Sequence, residues 1–400
     1  MSFRNDFVWG QATSAYQIEG AAFQDGKGWD IWDVFCKEEG KVFEGHSGEV
    51  ACDHYHRFRE DVALMKKMGV QGYRFSINWS RVFPNGTGTV NEKGLKFYHE
   101  LVDELCAANI EPYITLYHWE LPYELYKKGG WMNREIVEWF SDYAAFIAKE
   151  FSDKVTHFFT VNEPQCFIGL GYMTGVHAPG LKVPVRDTFL MAHHVLMAHG
   201  MAVKKMRQAA KRDILIGIAP TGSMSYPDSE RPEDMKLISQ PIDFYGQNIY
   251  NGNRIRMGKD GKPEVVKRYD GFPKTALGWP VTPECLYWGP YFLYERYQSP
   301  IYITENGLSC HDTVSSDGKV HDQNRIDFLE GYLKQLKHAS ENGVDIRGYF
   351  HWSLMDNFEW HSGYADRFGM IYVDYRTQER IIKDSGYWYE KVIRENGEFL

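Results

Sequence analysis

The sequence predicts an α/β protein, a (β/α)8 TIM barrel in which the fifth βα unit is truncated. Three observations predict this fold. Runs rich in β-branched and aromatic residues alternate with amphipathic patterns, eight such runs occur, and no linker or low-complexity tract separates them. A doubly wound open sheet is the structural alternative, but the nucleotide-binding signals that are typical of that fold are absent.

Each predicted strand is a short β-rich run that ends at turn-forming or polar residues. In chain order the strands are residues 6–13, 72–79, 110–119, 156–164, 214–220, 242–250, 300–307 and 346–357. Apolar residues at helical spacing predict helices between them, including residues 54–68, 94–108, 134–151, 187–209, 324–341 and 384–394. Because these elements follow one another without a break, we expect residues 1–400 to form a single domain.

The fifth βα unit is short, because its strand starts at residue 214 and the next strand already starts at residue 242. Only residues 233–239 remain for a helix, about two turns. In a parallel barrel the outward side chains of each strand need a covering helix. The side chains at risk form two alternate sets, Ile214, Ile216 and Ile218 or Leu215 and Ala219. We therefore expect a homo-oligomer with the 214–242 flank at its interface.

Composition excludes several classes of function. A formal charge of −9 and a pI near 5.9 argue against a nucleic-acid or anionic-membrane partner. No apolar run approaches the ~20 residues of a membrane span, and the N-terminus lacks the apolar core of a signal peptide. The six cysteines are scattered without a CxxC pair, which favours reduced thiols and a cytoplasmic location.

Two predicted strands end on a glutamate that is followed by a turn signal. Glu163 precedes Pro164, and Glu305 precedes an Asn-Gly pair. The carboxyl ends of all barrel strands meet at one face, so these carboxylates should meet there too. One protonated and one ionised carboxyl group are the minimum equipment for breaking a glycosidic bond, and the nearby cation of Arg74 would keep one pKa low. Ordinary solvated loop acids are the alternative interpretation.

Other motifs carry less weight. The glycine-rich residues 169–175 lack the strand and helix that flank a nucleotide loop. The histidines of residues 193–199 do not converge on one helix face, so we expect no metal site there. No GxSxG or GxxxxGK[ST] motif occurs. We expect neither a metal nor an organic cofactor, and the 16% aromatic content suits sugar binding as well as a core.

Four segments together resemble glycoside hydrolase family 1, the retaining β-glucosidases. They are "FVWGQATSAYQIEG" near the start, "TVNEP" with Glu163, "ITENG" with Glu305 and "WSLMDNFEW" near the end. The resemblance implies that Glu163 is the acid/base and Glu305 the nucleophile. It also implies that the chain lacks a few tens of residues that the family carries after "APTGSMSYP".

The resemblance assigns two further groups of residues. Residues that would support catalysis are Arg74, Asn162, Asn248 and Tyr250. Residues that would contact the sugar are Gln17, His118, Trp119, Asn162, Trp279, Trp352, Glu359, Trp360 and Phe368. An anionic Glu359 would repel a 6-phosphate, and the Ser…Lys-x-Tyr pattern of the phospho-specific branch is absent, so an unphosphorylated sugar is favoured.

The expected function is hydrolysis of terminal β-D-glucosyl residues from short β-glucosides, including cellobiose, in the context of cellulose degradation. Three alternatives remain open from the sequence: a transglycosylase, a member with galacto or fuco preference, and a sugar-binding protein whose catalysis is impaired by the deletion. The last one predicts binding without turnover.

Overall fold

In the computed structural model, which describes residues 3–221 and 232–400, eight parallel strands close into a barrel. The barrel strands are β1 (Val8–Ala12), β2 (Gly72–Ser76), β3 (Glu111–Tyr117), β4 (His157–Asn162), β5 (Leu215–Ala219), β6 (Phe244–Asn248), β9 (Ile301–Asn306) and β10 (Ile346–Trp352). Two antiparallel pairs lie outside it, β7 (Ile255–Met257) with β8 (Pro263–Val265) and β11 (Ile371–Asp374) with β12 (Glu379–Ile382). The predicted barrel and its eight strands are confirmed.

Helices connect the strands on the outside of the barrel. In the described part of the chain they are α1 (Ala15–Ile18), α2 (Ile31–Phe35), α3 (His54–Lys67), α4 (Trp79–Val82), α5 (Glu92–Ala107), α6 (Tyr123–Lys127), α7 (Ile136–Phe151), α8 (Pro164–Ile168), α9 (Val185–Ala209), α10 (Pro232–Ile238), α11 (Cys285–Tyr297), α12 (Gln323–Glu341) and α13 (Asp384–Arg394). Helix α11 was not among those the sequence predicted. Its aromatic residues surround the helix and Pro290 lies inside it, so it has no clear apolar stripe.

Aromatic side chains fill the inside of the barrel. Tyr113 and Phe350 lie with ring centroids 4.8 Å apart, and both are fully buried. Gly10 leaves room for the Phe350 ring, because a Cβ at that position would lie 2.3 Å from Phe350 Cδ1. The interior is therefore packed rather than hollow, which leaves the carboxyl ends of the strands as the place for a site.

The shortened fifth unit still buries its strand. Ile214, Ile216 and Ile218 are buried, so the expectation that this set would be poorly covered is wrong. Helix α10 lies directly against α9, because a Cβ on Gly200 would be 1.8 Å from the carbonyl oxygen of Leu237. Because α10 packs so closely against α9, two helical turns are enough to cover the outward side chains of β5. Of the alternate set, Ala219 is buried.

One residue of that alternate set, Leu215, is 38% exposed. The predicted loop 221–232 falls, apart from its two end residues, outside the described residues. None of the helices in the described ranges is long and apolar enough to cross a membrane.

Candidate active site

Glu305 lies in β9 and Glu163 follows β4, two strands that β5 and β6 separate in the barrel, and both glutamates reach the face at the carboxyl ends of the strands. Glu305 is the fifth residue of β9 and pairs with Asn248 of β6. Glu163 follows β4, and its backbone N–H donates to the carbonyl of Ala219 over 2.8 Å. Glu163 adopts a left-handed backbone (φ 45°, ψ 65°) just before Pro164 opens α8. Such a backbone costs about 1–3 kcal/mol for a residue other than glycine and is common at functional sites.

Glu305 is held by a cation and a phenol. Arg74 Nη1 donates to Glu305 Oε1 over 2.7 Å, and Tyr250 Oη donates to Glu305 Oε2 over 2.9 Å. Burial raises the pKa of Glu305, while Arg74 and Tyr250 lower it. Our expectation that the cation would leave this pKa low is not met, because burial outweighs it.

No cation among residues 3–221 and 232–400 forms an ion pair with Glu163. Asn248 Nδ2 donates to Glu163 Oε1 over 2.8 Å. Burial, followed by the negative charge of Glu305, raises the pKa of Glu163 to about 8. At neutral pH the Glu163 carboxyl group is therefore protonated, while Glu305 remains paired with Arg74. Such a pair can supply one proton donor and one nucleophile.

Two asparagines link the glutamates into one network. The Asn162 oxygen accepts from Arg74 Nη2 over 2.6 Å and from Asn248 Nδ2 over 3.1 Å. The Asn162 amide nitrogen donates to His118 Nε2 over 3.1 Å. Burial and the charge of Arg74 hold the pKa of His118 well below its usual range. The neutral ring thus carries its proton on Nδ1, which has no hydrogen-bond partner among the described residues and can donate to a ligand.

Indole rings and His118 form one side of the site. The His118 ring stacks at 18° on both Trp352 and Trp360, with centroids 5.7 and 6.0 Å away. The Trp119 and Trp360 rings lie 4.6 Å apart, and Trp119 Nε1 donates to the carbonyl of Asn162 over 3.0 Å. Flat apolar faces beside polar edges match the two sides of a sugar ring.

Glu359 lies in the segment that follows β10, and Gln17 of α1 contacts the same segment. Gln17 Nε2 donates to Asn357 Oδ1 over 3.1 Å and to the Phe358 carbonyl over 2.8 Å. Glu359 Oε2 is buried without a partner in the described part of the chain. Burial and the neighbouring Asp366 carboxylate raise the pKa of Glu359 to about 8. The anionic Glu359 that we expected is therefore not the form favoured at neutral pH.

Three rings line the Glu305 side. Trp279 lies 5.2 Å from Tyr250 and 6.0 Å from Phe368, measured between ring centroids. Since Tyr250 contacts Glu305 directly, this cluster lies beside the nucleophile candidate. The structure thus places the site residues predicted from the sequence in the barrel strands, as with Arg74 of β2, or in the segments that follow those strands, as with Gln17 of α1.

Sequence reasoning missed several residues of this site. Cys166 lies in the first turn of α8 with its sulfur 3.9 Å from Thr221 Oγ1, and the Asp366 carboxylate raises the pKa of Glu359. Cys166 could have been found, because it lies three residues after Glu163 at the start of a helix. No cluster of three or more metal-ligating side chains suited to an ion occurs within residues 3–221 and 232–400.

Comparison with known proteins adds independent findings. The chain is 43% identical over 440 residues to a 1,4-beta-D-glucan glucohydrolase of Thermotoga neapolitana, and the alignment covers 99% of both chains. Its structure is similar to that of the beta-glucosidase from Thermotoga maritima in complex with glucoimidazole, with a TM-score of 0.92, 43% identity and 99% of both chains covered. A complex of the same enzyme with galacto-hydroximolactam gives a TM-score of 0.93 at 42% identity over 99% of both chains.

The alignment with the Thermotoga neapolitana protein is longer than this chain of 400 residues, so the relative carries residues that have no counterpart here. The sequence profile of glycosyl hydrolase family 1 matches residues 1–259 and 231–398. The two matched segments overlap at residues 231–259, which include helix α10 of the shortened unit. With this coverage and the full-length relatives, the chain belongs to glycosyl hydrolase family 1.

Proposed function

We propose that the protein is a retaining β-glucosidase in which residues 1–400 act as one domain. Its substrates are short β-glucosides, such as cellobiose and aryl glucosides, from which it removes the terminal non-reducing glucosyl residue. The observation that carries this proposal is the unequal setting of the two glutamates. Arg74 contacts Glu305, whereas no cation in the described part of the chain contacts Glu163, and the pKa of Glu163 rises to about 8.

In the first step the Glu305 carboxylate attacks the anomeric carbon. Glu163 gives its proton to the leaving oxygen, so the glycosidic bond breaks as the bond to Glu305 forms. Arg74 donates a hydrogen bond to one oxygen of the Glu305 carboxylate, and Tyr250 donates to the other. The Asn162 amide, fixed by Arg74 and Asn248, is placed to bond the 2-hydroxyl.

In the second step water attacks the glucosyl-enzyme. Glu163, now a carboxylate, takes a proton from that water, and Glu305 leaves as the free carboxylate. The two inversions give net retention at the anomeric carbon. Both steps balance with two carboxyl groups and one water molecule.

The remaining residues bind the sugar. His118 offers a free donor, and a protonated Glu359 can both donate to one hydroxyl and accept from another. Trp352 supplies the stacking face, Trp119, Trp360 and Gln17 complete the glycone side, and Trp279 and Phe368 extend toward the leaving group. The Ser…Lys-x-Tyr pattern of the phospho-specific branch is absent from the sequence, which favours a neutral sugar over a phosphorylated one.

Hydrolysis of a panel of nitrophenyl β-glycosides tests this function. We expect the glucoside to be cleaved and NMR to show the β-anomer first. A higher kcat/KM for the galactoside or fucoside would replace the glucosidase by a member with that preference. Products longer than the substrate would identify a transglycosylase, and binding without turnover would identify a sugar-binding protein. Release of the α-anomer would rule out the retaining mechanism.

We also propose that the protein is a homo-oligomer through the flank near residues 214–242. Support comes from aromatic side chains on α11, which covers the neighbouring strand β6. Trp288, Phe292 and Tyr297 are each about half exposed, and Tyr297 stacks on Tyr245 of β6 at 6.0 Å. A second copy would cover these rings and the exposed Leu215 at the start of β5.

Light scattering coupled to gel filtration tests the oligomer. We expect a mass above the 46.5 kDa of one chain, and Phe292→Arg should reduce it to that value. Tyr387→Arg is the matched control, because Tyr387 is equally exposed on the distant helix α13. A wild-type monomer at micromolar concentration would contradict the proposal.

A cytoplasmic location is the third part of the proposal. All six cysteines are free thiols, with no disulfide between them. Reduced thiols persist in a reducing compartment. Fractionation of the source cells, with the activity measured in each fraction, tests this location.

A further inference from the structure

The hydroxyl of Thr304 forms a buried hydrogen bond between two strands of the site. Thr304 lies on β9 directly before Glu305, and its side chain is buried. Its hydroxyl donates to Asn248 Oδ1, on the adjacent strand β6, over 2.6 Å. An amide oxygen can only accept, so the hydroxyl is the donor in this bond. Thr304 therefore contacts the oxygen end of the Asn248 amide.

The orientation of the Asn248 amide also follows from its other contacts. A guanidinium group only donates, so the Asn162 side chain turns its oxygen toward Arg74 Nη2, at 2.6 Å. The same Asn162 oxygen accepts from Asn248 Nδ2 over 3.1 Å. The nitrogen of the Asn248 amide must therefore face Asn162, which leaves its oxygen to face Thr304.

The nitrogen of this amide also reaches Glu163. Asn248 Nδ2 donates to Glu163 Oε1 over 2.8 Å, and both side chains are buried. A protonated carboxyl group accepts best at the oxygen that lacks the proton, so a donor at Oε1 leaves the proton on Oε2. If the amide turned over, its oxygen would face Glu163 Oε1 and would favour a proton there instead.

We propose that Thr304 is a positioning residue that determines, through Asn248, which oxygen of Glu163 carries its proton. The proposal rests on the proposed function, in which Glu163 is an acid in the first step and a base in the second. The Thr304 hydroxyl holds the amide oxygen, so the amide nitrogen stays on Oε1. The proton on Oε2 can then pass to the leaving oxygen. In the second step the same N–H group stabilises the Glu163 carboxylate.

The direction of the effect on pH dependence follows from the surroundings of Glu163. The charged and titratable groups that face it are Arg74 on β2, Glu305 on β9, Tyr250 after β6, Glu359 after β10 and Cys166 on α8. Burial and Glu305 raise the pKa of Glu163, whereas the hydrogen bond from Asn248 lowers it. Without the Thr304 hydroxyl the amide is free to turn, and this lowering contribution weakens. The pKa of Glu163 should then rise.

The pH dependence of kcat/KM on nitrophenyl β-glucoside tests the proposal. Glu163 must be protonated for the first step, so activity falls at high pH as Glu163 ionises. We expect Thr304→Val, which replaces the hydroxyl by a methyl group, to move this basic limb upward by about 0.5–1 pH unit. Thr304→Ser keeps the hydroxyl and should retain the wild-type limb. Thr160→Val is the matched control that should not move it, because this buried threonine on β4 bonds His199 instead.

Two further measurements separate this role from a general loss of structure. On a glucoside with a poor leaving group, Thr304→Val should lose about 10-fold in kcat/KM, because the proton is misplaced. On dinitrophenyl β-glucoside, whose leaving group needs no proton, the loss should be at most about 2-fold. In an Asn248→Ala background, Thr304→Val should cause no further shift of the basic limb, because Thr304 acts through that amide.

A basic limb that is the same in Thr304→Val and wild type would overturn the proposal. Equal losses on both leaving groups, or a further shift in the Asn248→Ala background, would also overturn it. Should Thr304→Val fail to fold, Thr304→Ala carries the test, because it removes the same hydroxyl.

Failure of the proposed function would look different, because it would appear in the wild type as absent cleavage or as release of the α-anomer. The protonation of Glu163 can then be followed without turnover, by infrared titration of its carboxyl stretch, with Glu163→Gln identifying the band. We expect the titration midpoint of this band to rise in Thr304→Val by the same amount as the basic limb. A midpoint that does not move would overturn the proposal independently of the catalysed reaction.

Discussion

Two clusters of buried charge in this protein have opposite balances. In the site, Glu163 and Glu305 are buried and Glu359 is half-buried, near a single cation among the described residues, Arg74. A second cluster, beside β10 and α12, balances its charges, with acidic members Asp312, Asp322 and Asp356 and basic members Arg325, Arg367 and Lys383. Lys383 contacts two of these carboxylates at once, Asp312 at 2.6 Å and Asp356 at 2.7 Å.

The balance decides what each carboxyl group can do. The cations beside Asp312 lower its pKa despite burial, so it stays ionised and serves structure. The pKa values of Glu163 and Glu359 rise to about 8 where cations are scarce. A buried carboxyl group with too few cations can exchange its proton near neutral pH, which catalysis needs. The two clusters thus differ in the number of cations per carboxyl group.

The largest expected effect comes from removing a charge of the site cluster. Glu305→Gly should lower kcat for an aryl β-glucoside at least about 10⁴-fold, because the attacking group is gone. Added azide should restore turnover by taking the vacant place, with NMR showing the α-glucosyl azide. Asp312→Gly, in the balanced cluster, should not respond to azide. Substantial activity of Glu305→Gly without any anion would refute the assignment.

The next effect separates the two roles within the site. Glu163→Gln should lose about 10²–10⁴-fold on a substrate with a poor leaving group, which needs a proton from the enzyme. On dinitrophenyl β-glucoside, whose leaving group needs no proton, the loss in glycosylation should be far smaller. Pre-steady-state kinetics on both substrates measure the two losses. Equal losses would mean that Glu163 is not the general acid.

The balanced cluster should respond in stability instead. Asp322 accepts from Arg325 and from the backbone and hydroxyl of Ser385, and it is buried. Asp322→Asn should lower the free energy of unfolding by about 3 kcal/mol, since it leaves a buried cation short of a partner, while kcat stays unchanged. Urea unfolding at pH 7 measures this. Asp317→Asn, whose partner His321 is on the surface, should leave the urea midpoint unchanged. A loss of kcat with unchanged stability would contradict the division between the clusters.

Much of the fold and the positions of the site residues follow from the sequence. Strand ends meet in a barrel, so glutamates at the ends of β4 and β9 had to come together once the strands were identified. Two features of the fold did not follow from the sequence, the coverage of β5 and the presence of helix α11. The contact of α10 with Gly200 covers β5, and the uniform apolar surface of α11 hides its helical period.

The protonation states could not be predicted from the sequence either. Each pKa depends on burial and on charges from other strands, such as Glu305 of β9 acting on Glu163 after β4. Cys166 shows the same limit, since its partner Thr221 belongs to a different βα unit. Sequence patterns identify which groups meet, and the folded surroundings decide which of them carry a proton.

The smallest expected effect is a shift along the pH axis that comes from weakening the one cation of the site. Arg74 contacts Glu305 with Nη1 and Asn162 with Nη2. Arg74→Lys keeps the positive charge but loses the planar guanidinium that contacts Glu305 and Asn162 at once. The pKa of Glu305 should therefore rise. Glu305 must be ionised to attack, and it loses its charge as the pH falls through its pKa. The acid limb of kcat/KM should therefore move upward, by about one pH unit or less. Arg134→Lys, an exposed arginine paired with Asp234, is the control that should leave the limb in place. An acid limb that moves to lower pH in Arg74→Lys would show that this cation does not hold the charge of Glu305.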